Sequence, residues 1–238
     1  MNRKPREFFF EHRQSDSPLV AFVWRAESEH VTPFVSQAAS QWEMVISKYQ
    51  GMHTLTLRGP ETKAKPVEGP ADAEFFGIAF HMGVFMPHLP AVDLVDSERT
   101  LPEASGGDVW FAGSAWELPT FDNADTFIQR LVHDGLLMRD PVVPAALDGR
   151  PTYLSPRALQ YRFLRATGMT HTTIRQIERA RRAAALLGRG ASILDTMHET
   201  GYFDQAHLTR SLKRFMGYTP SRLLELPPTQ VAWVDQSA

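Results

Sequence analysis

The spacing of hydrophobic and polar residues changes along the chain. Up to about residue 81, apolar residues stand in short runs rich in β-branched and aromatic side chains, a composition typical of strands. These runs lie at residues 19–24, 42–46, 53–58 and 74–81. Proline and glycine mark a loop at 59–70, and beyond Val84 the pattern predicts helices at 107–118 and 123–138. The first part of the chain is therefore predicted to be a small β-rich sheet or barrel with helices.

The most informative pattern lies at residues 192–220, where the spacing predicts a short helix, a glycine turn and a second helix. Ser192 can cap the first helix, and Gly201 suits the left-handed residue that ends it. Asp204 can cap the second helix, which ends at Gly217. The apolar face of this second helix carries Leu208, Leu212 and Phe215. The opposite face carries Ala206, Thr209, Arg210, Lys213 and Arg214, with Gln205 at its edge. A helix with these two faces can lie in the major groove of DNA and read base edges.

A less regular copy of this pattern lies upstream, where Ser155 takes the place of Asp204. Ser155 followed by Pro156 is a strong helix start, since serine caps and proline suits the first helical position. The apolar and terminal residues of the copy are Leu159, Phe163 and Gly168, and its outward face carries Arg157, Gln160, Tyr161, Leu164 and Arg165. Residues 141–147 can form its partner helix, although the connection at 148–154 is longer than the second turn.

Between the two copies, residues 172–187 read as one uninterrupted helix. Its sixteen residues, at about 1.5 Å each, make a rod of roughly 24 Å. With the widths of the flanking motifs added, the two reading helices are predicted to lie about one duplex turn, ~34 Å, apart. They can then enter successive major grooves on one side of the duplex.

Several motifs spread over residues 125–226 resemble the DNA-binding domain of the AraC/XylS family of bacterial transcription regulators. The motifs are LSPRALQYRF at 154–163, RATG at 165–168, ERARRA at 178–183, GYFDQAHLTR at 201–210 and GYTP at 217–220. The resemblance implies seven helices, with two helix-turn-helix units joined by a long linker helix. The sequence departs from the family pattern in the stretched first turn at 149–153 and in the glycine-rich stretch at 187–191. The order of motifs at 80–83, 101–102 and 109–110 is similar to sensor-like amino-terminal domains of some members.

We therefore expect an α+β protein with three parts. Residues 1–122 form a ligand-sensing or dimerisation domain, residues 123–228 form the AraC-type DNA-binding domain, and residues 229–238 are a tail. Charge supports this division, because residues 1–122 carry 10 Lys or Arg against 17 Asp or Glu, whereas residues 150–222 carry 13 against 4. The net charge of −2 for the whole chain conceals this contrast. A basic module can bind phosphates and release counterions.

The outward faces of the two reading helices supply the candidate DNA contacts. Arginine can form forked bonds to guanine, and glutamine or threonine can bond to base edges or phosphates. The predicted base-reading residues are Arg157, Gln160, Tyr161, Gln205, Ala206, Thr209 and Arg210. The predicted phosphate contacts, which position the protein without reading sequence, are Ser155, Arg165, Lys213 and Arg214.

The amino-terminal part offers fewer indications of chemistry. Ligand pockets are mostly apolar with a few polar groups, and a predicted pocket is lined by Trp24, Trp42, His53, Phe80, Met82 and Trp110. The alternative is that these residues form an ordinary core. The histidines have neither the His-x-His nor the His-Glu-x-x-His spacing of a metal site, and there is no cysteine. The chain also lacks a nucleophile elbow and a phosphate loop, so we expect neither an enzyme nor a cofactor.

The expected partners are double-stranded DNA, a second copy of the chain in a homodimer, a small-molecule effector and RNA polymerase. The absence of a signal peptide and of a run of eighteen apolar residues predicts a cytoplasmic protein without a membrane partner. Two alternatives stay open. One is a dimeric regulator that binds no ligand, and the other is an enzyme that uses the helical domain to reach DNA.

Overall fold

The computed structural model describes residues 9–225. They divide into two compact units. The first consists of residues 9–34, 41–60 and 68–170. The second consists of residues 35–40, 61–67 and 171–225. The predicted functional boundary at 122/123 does not coincide with this division and stays a prediction, and the predicted tail at 229–238 lies outside the described residues.

Twelve short strands supply the β structure of residues 9–225. They are β1 (Phe9–Arg13), β2 (Val20–Ser28), β3 (Thr32–Ser36), β4 (Glu43–Tyr49), β5 (Met52–Arg58), β6 (Lys65–Gly69), β7 (Ala73–Phe80), β8 (Val84–Phe85), β9 (Glu98–Thr100), β10 (Val109–Phe111), β11 (Ser114–Trp116) and β12 (Met138–Arg139). Six of them form an antiparallel sheet in the order β1-β2-β7-β4-β5-β9. The others pair as β10 with β11, β8 with β12, and β3 with β6.

The sheet buries one face against helices and aromatic side chains. Val23, Ile78, Met44 and Leu57 lie side by side across four neighbouring strands and are all buried. Because side chains alternate along a strand, this row defines the core face of the sheet. The same core includes Phe127, Ile128 and Leu131 of the first helix.

Seven α-helices occur in the described part of the chain, in agreement with the expected number. They are α1 (Ala124–His133), α2 (Val142–Leu147), α3 (Pro156–Thr167), α4 (His171–Gly188), α5 (Ile193–Thr200), α6 (Gln205–Met216) and α7 (Pro220–Glu225). The first unit holds α1 to α3, and the second holds α4 to α7. The α+β fold class is confirmed, and helices α4, α3 and α6 lie where the linker helix and the two reading helices were expected.

Three local expectations for the first unit were wrong. The segment 107–118 forms the β10–β11 hairpin instead of a helix, and in β10 Val109 and Phe111 are buried while Trp110 between them is exposed. The segment 59–70, expected as a loop, contains β6. The helix expected at 123–138 ends at His133, and Gly135 with φ of 70° turns the chain toward β12.

Candidate nucleic-acid interface

Helix α6 has the two faces that the sequence predicts. Asp204 caps it, since its Oδ1 accepts a hydrogen bond from the backbone N–H of His207 at 2.6 Å. Leu208, Leu212 and Phe215 are buried. On the other side Thr209 is half-buried, and the exposed residues are Gln205, Ala206, Arg210, Lys213 and Arg214. The predicted contact residues of this helix therefore share one accessible face.

The turn between α5 and α6 is held by side-chain contacts. Ser192 accepts a hydrogen bond from Asp195 N at 3.0 Å and so caps α5, as predicted. Tyr202, in the turn, places its hydroxyl 2.7 Å from the hydroxyl oxygen of Ser211 on α6, and both residues are buried. This polar pair links the turn to the buried side of the reading helix.

Helix α3, in the first unit, presents the other predicted set. Ser155 Oγ accepts from Ala158 N at 3.2 Å, which makes Ser155 the cap and leaves its O–H available to a phosphate. Phe163 is buried. The exposed side chains are Arg157, Gln160, Tyr161, Leu164 and Arg165. The guanidinium of Arg165 lies 5.1 Å from the ring centre of Phe85, so this predicted phosphate contact also rests on an aromatic ring.

An ion pair with a buried carboxylate, which the sequence does not indicate, holds α3. Arg162 Nη1 donates to Asp140 Oδ2 at 2.9 Å, and Asp140 Oδ1 accepts from Val142 N at 3.0 Å. Asp140 precedes α2, so one carboxylate joins the start of the partner helix to the middle of the reading helix. Arg162 belongs to the motif at 154–163, but its side chain pairs with Asp140 and is not one of the predicted DNA contacts.

Three of the four arginines on the linker helix α4 differ in their surroundings. Arg182 is exposed, as expected for a solvated position. Arg179 places its guanidinium 4.4 Å from the ring centre of Tyr202. Arg181 donates from Nη1 to the carbonyl oxygen of Ala38 at 3.3 Å. Burial lowers the pKa of the Arg181 guanidinium, while the neighbouring Glu178 carboxylate acts in the opposite direction.

Two short segments from the strand-rich part of the sequence complete the second unit. The backbone N–H of Ala38 donates to the carbonyl oxygen of Phe215 at 2.7 Å, and that of Ala64 donates to the carbonyl oxygen of Arg214 at 2.8 Å. Ser40 hydrogen-bonds to Glu178 on α4. The segments 35–40 and 61–67, here called the docking segments, therefore contact both α4 and the end of α6. Sequence reasoning missed them, because the contacts to α6 use backbone atoms that carry no residue signature.

The predicted ligand-pocket residues do not form one group. Trp42 stacks on Phe80 with ring centres 4.1 Å apart, and its Nε1 donates to the carbonyl oxygen of Val84 at 2.7 Å inside the core. Trp24 alternates with the core residue Val23 and therefore faces the opposite side of the sheet from Phe80. Trp24 thus does not share a pocket with Trp42 and Phe80.

The other three predicted pocket residues lie near the surface. His53 is exposed at the beginning of β5, Trp110 is half exposed on β10, and Met82 is half-buried in the turn before β8.

Trp24 lies against the backbone of Gly77, where an added Cβ would stand 2.1 Å from the Trp24 ring. Its Nε1 donates to Glu43 Oε2 at 3.0 Å. The pair that the structure brings together, Trp42 and Phe80, is part of the core.

Neither a metal cluster nor a membrane span is found in the described range. Residues 9–225 contain no group of three or more His, Asp or Glu side chains arranged to hold a metal ion. Within the same range, each helix is too short or too polar to cross a membrane.

A family model described as a helix-turn-helix domain matches residues 150–225. No curated protein and no solved structure matches the chain. The matched range contains α3 to α7, with both capped reading helices and the linker, and it does not reach residues 1–149. Residues 150–225 therefore contain a helix-turn-helix domain, which supports the AraC-type DNA-binding domain expected for this part of the chain.

Proposed function

We propose that the chain binds a specific DNA sequence by inserting α3 and α6 into adjacent major-groove segments. The observation that carries this proposal is the pairing of two capped helices, each with a buried apolar face and an exposed face of arginine and amide side chains. An α-helix fits the major groove, where each base pair presents its own pattern of donors and acceptors.

Arg210 is the proposed base reader of α6, and Lys213 is a proposed phosphate contact one turn later. Arg210 lies on the exposed face and can form forked bonds to guanine. Lys213 is exposed at the last turn, where its ammonium can meet a phosphate as a point charge. On α3, the same roles fall to Arg157, Gln160 and Tyr161 for bases, and to Ser155 and Arg165 for phosphates.

The test compares Arg210→Ala and Lys213→Ala on a duplex selected from a random pool. Loss of a base contact costs about 1–3 kcal/mol and relaxes the sequence preference at one position, which is the result expected for Arg210→Ala. Loss of a phosphate contact weakens all sequences alike and reduces the salt slope by about one, the result expected for Lys213→Ala. Arg222→Ala, which removes an exposed arginine paired with Glu225 on α7, is the matched control. If both variants bind like this control, α6 is not the reading helix.

We further propose that residues 1–122 modulate DNA binding, through self-association or a small molecule. The supporting observation is the acidic balance of this part of the chain beside a basic helix-turn-helix domain. Sedimentation of the full chain with and without duplex measures self-association, and thermal-shift screening against metabolites measures ligand binding. A monomer that no metabolite stabilises would contradict this second proposal and leave the first intact.

A further inference from the structure

The docking segments satisfy backbone groups that α6 cannot satisfy itself. The last four carbonyl groups of an α-helix have no partner within the helix. In α6, the carbonyl oxygens of Arg214 and Phe215 receive hydrogen bonds from Ala64 and Ala38 respectively. The docking segments therefore lie directly against the last turn of the reading helix, beside Lys213 and Arg214.

Lys63 lies near the end of α6 because its neighbour Ala64 is hydrogen-bonded there. Consecutive Cα atoms are about 3.8 Å apart, so the hydrogen bond from Ala64 to Arg214 brings the backbone of Lys63 to the same helix end. The side chain of Lys63 is exposed. It makes no ion pair with any of residues 9–225, so its charge is available to a partner.

The second lysine of this segment differs in its surroundings. Lys65 Nζ lies 2.7 Å from Glu61 Oε1, and the Glu61 side chain is only 10% exposed. Ser36 Oγ donates to the other oxygen of this carboxylate at 2.5 Å. The charge of Lys65 is therefore balanced locally, and Lys63 supplies the surplus positive charge of the segment.

The position of these lysines is unusual for the chain. Only five lysines occur in 238 residues, and two of them stand at 63 and 65 within the acidic part of the sequence. Both lie in a docking segment of the second unit, next to the basic end of α6. Lysine ammonium groups bind DNA through the phosphate backbone, with an affinity that salt reduces.

We propose that residues 61–65 form an additional DNA-binding element, in which Lys63 contacts a backbone phosphate next to the segment read by α6. The element extends the phosphate-contacting edge begun by Lys213 and Arg214 with a residue from outside the helix-turn-helix domain. The proposal rests on the proposed function, since it requires α6 to lie in a major groove. Its ligand is the sugar-phosphate backbone of double-stranded DNA, without sequence preference.

The test uses the full chain, one selected duplex and a series of salt concentrations. Each lost phosphate contact makes the salt slope shallower by about 0.9. When the salt is raised from 50 to 200 mM, the affinity of both proteins falls. The fold-decrease should be about three to four times smaller for Lys63→Gln than for the unmodified chain. Lys63→Arg should restore the slope, because arginine keeps the charge. Lys48→Gln removes an exposed lysine that is paired with Glu74 on the sheet and serves as the matched control.

The outcomes separate the two proposals. If the unmodified chain selects no duplex, or if Lys213→Gln leaves the slope unchanged, the proposed function of α6 fails. If Lys213→Gln reduces the slope and Lys63→Gln behaves like Lys48→Gln, only the additional element is overturned. A reduced slope for Lys63→Gln with unchanged sequence preference and unchanged melting temperature supports the element.

Discussion

The carboxylate of Asp140 joins α2 to α3, because it binds Arg162 on α3 at 2.9 Å and the backbone of Val142 on α2 at 3.0 Å. The Asp140 side chain is only 4% exposed, whereas that of Arg162 is 41% exposed. A buried carboxylate is stable only when its oxygens are paired. The orientation of α3 therefore depends on a salt bridge that lies behind its exposed face.

Replacing Arg162 by alanine is expected to destabilise the protein by about 1–3 kcal/mol, since it leaves one oxygen of a buried carboxylate without its charged donor. Urea unfolding of both proteins measures the change. Arg150→Ala is the control, because Arg150 and Asp148 pair at 2.8 Å with both side chains mostly exposed, and such pairs contribute about 0–1 kcal/mol. Equal stabilities for the two variants would show that the Asp140 pair does not support α3.

Removing the cap of α6 is expected to weaken the fold of the second unit. Asp204→Ala deletes the oxygen that accepts from His207 N and should cost about 0.5–2 kcal/mol. Asp204→Asn keeps a capping oxygen and should stay within a few tenths of a kcal/mol of the unmodified chain. Thermal or urea unfolding distinguishes the two, and a similar loss for asparagine would assign the effect to charge rather than to the cap.

Adding a methyl group at Gly217 should be more damaging than adding one at Gly190. Both glycines have positive φ, 80° and 88°, so alanine is strained by a similar amount at each, about 1 kcal/mol. At Gly217, however, the new Cβ would stand 2.6 Å from Val35 Cγ1, whereas at Gly190 nothing lies within 4 Å. Urea unfolding should therefore show the larger loss for Gly217→Ala, and equal losses would mean that Val35 does not pack there.

Acidification should destabilise the first unit through His81. Partial desolvation of the imidazole, with a smaller effect of the positive charge of Arg139, lowers the pKa of His81 from its usual 6.5. The unfolded chain then binds the proton more readily than the folded chain, so stability falls as pH falls from about 7 to about 5. His81→Gln should show a shallower fall of melting temperature over this range. A fall as steep as that of the unmodified chain would exclude His81 as a contributor.

Sequence patterns located the helix-turn-helix elements because their signals are local. The residue that caps a helix and the glycine that ends it are separated only by the length of that helix. The predicted positions are confirmed for the caps Ser155 and Asp204 and for the terminal glycines Gly201 and Gly217. The hairpin at 109–116 was missed because its strands have three residues each, too few to show a period of two. The face on which Trp24 lies depends on strand register, which no local pattern at Trp24 reveals.

The docking segments show a different limit of sequence reasoning. Ala38 and Ala64 act through their backbone N–H groups, and any residue other than proline could supply the same donor. The Asp140–Arg162 pair likewise joins residues whose partnership depends on how α2 and α3 pack. In both cases the partners of these residues are determined by the tertiary structure, and residue type in the sequence does not identify them.

The hydrogen bonds to the last turn of α6 also determine which fragments of this protein keep the native end of that helix. A fragment that starts at residue 150 contains the whole matched helix-turn-helix domain, yet it lacks Ala38 and Ala64. Water would then have to satisfy the carbonyl groups of Arg214 and Phe215, and the apolar contact of Gly217 with Val35 would be lost. The smallest piece of this chain that preserves the native end of its reading helix is therefore discontinuous in sequence.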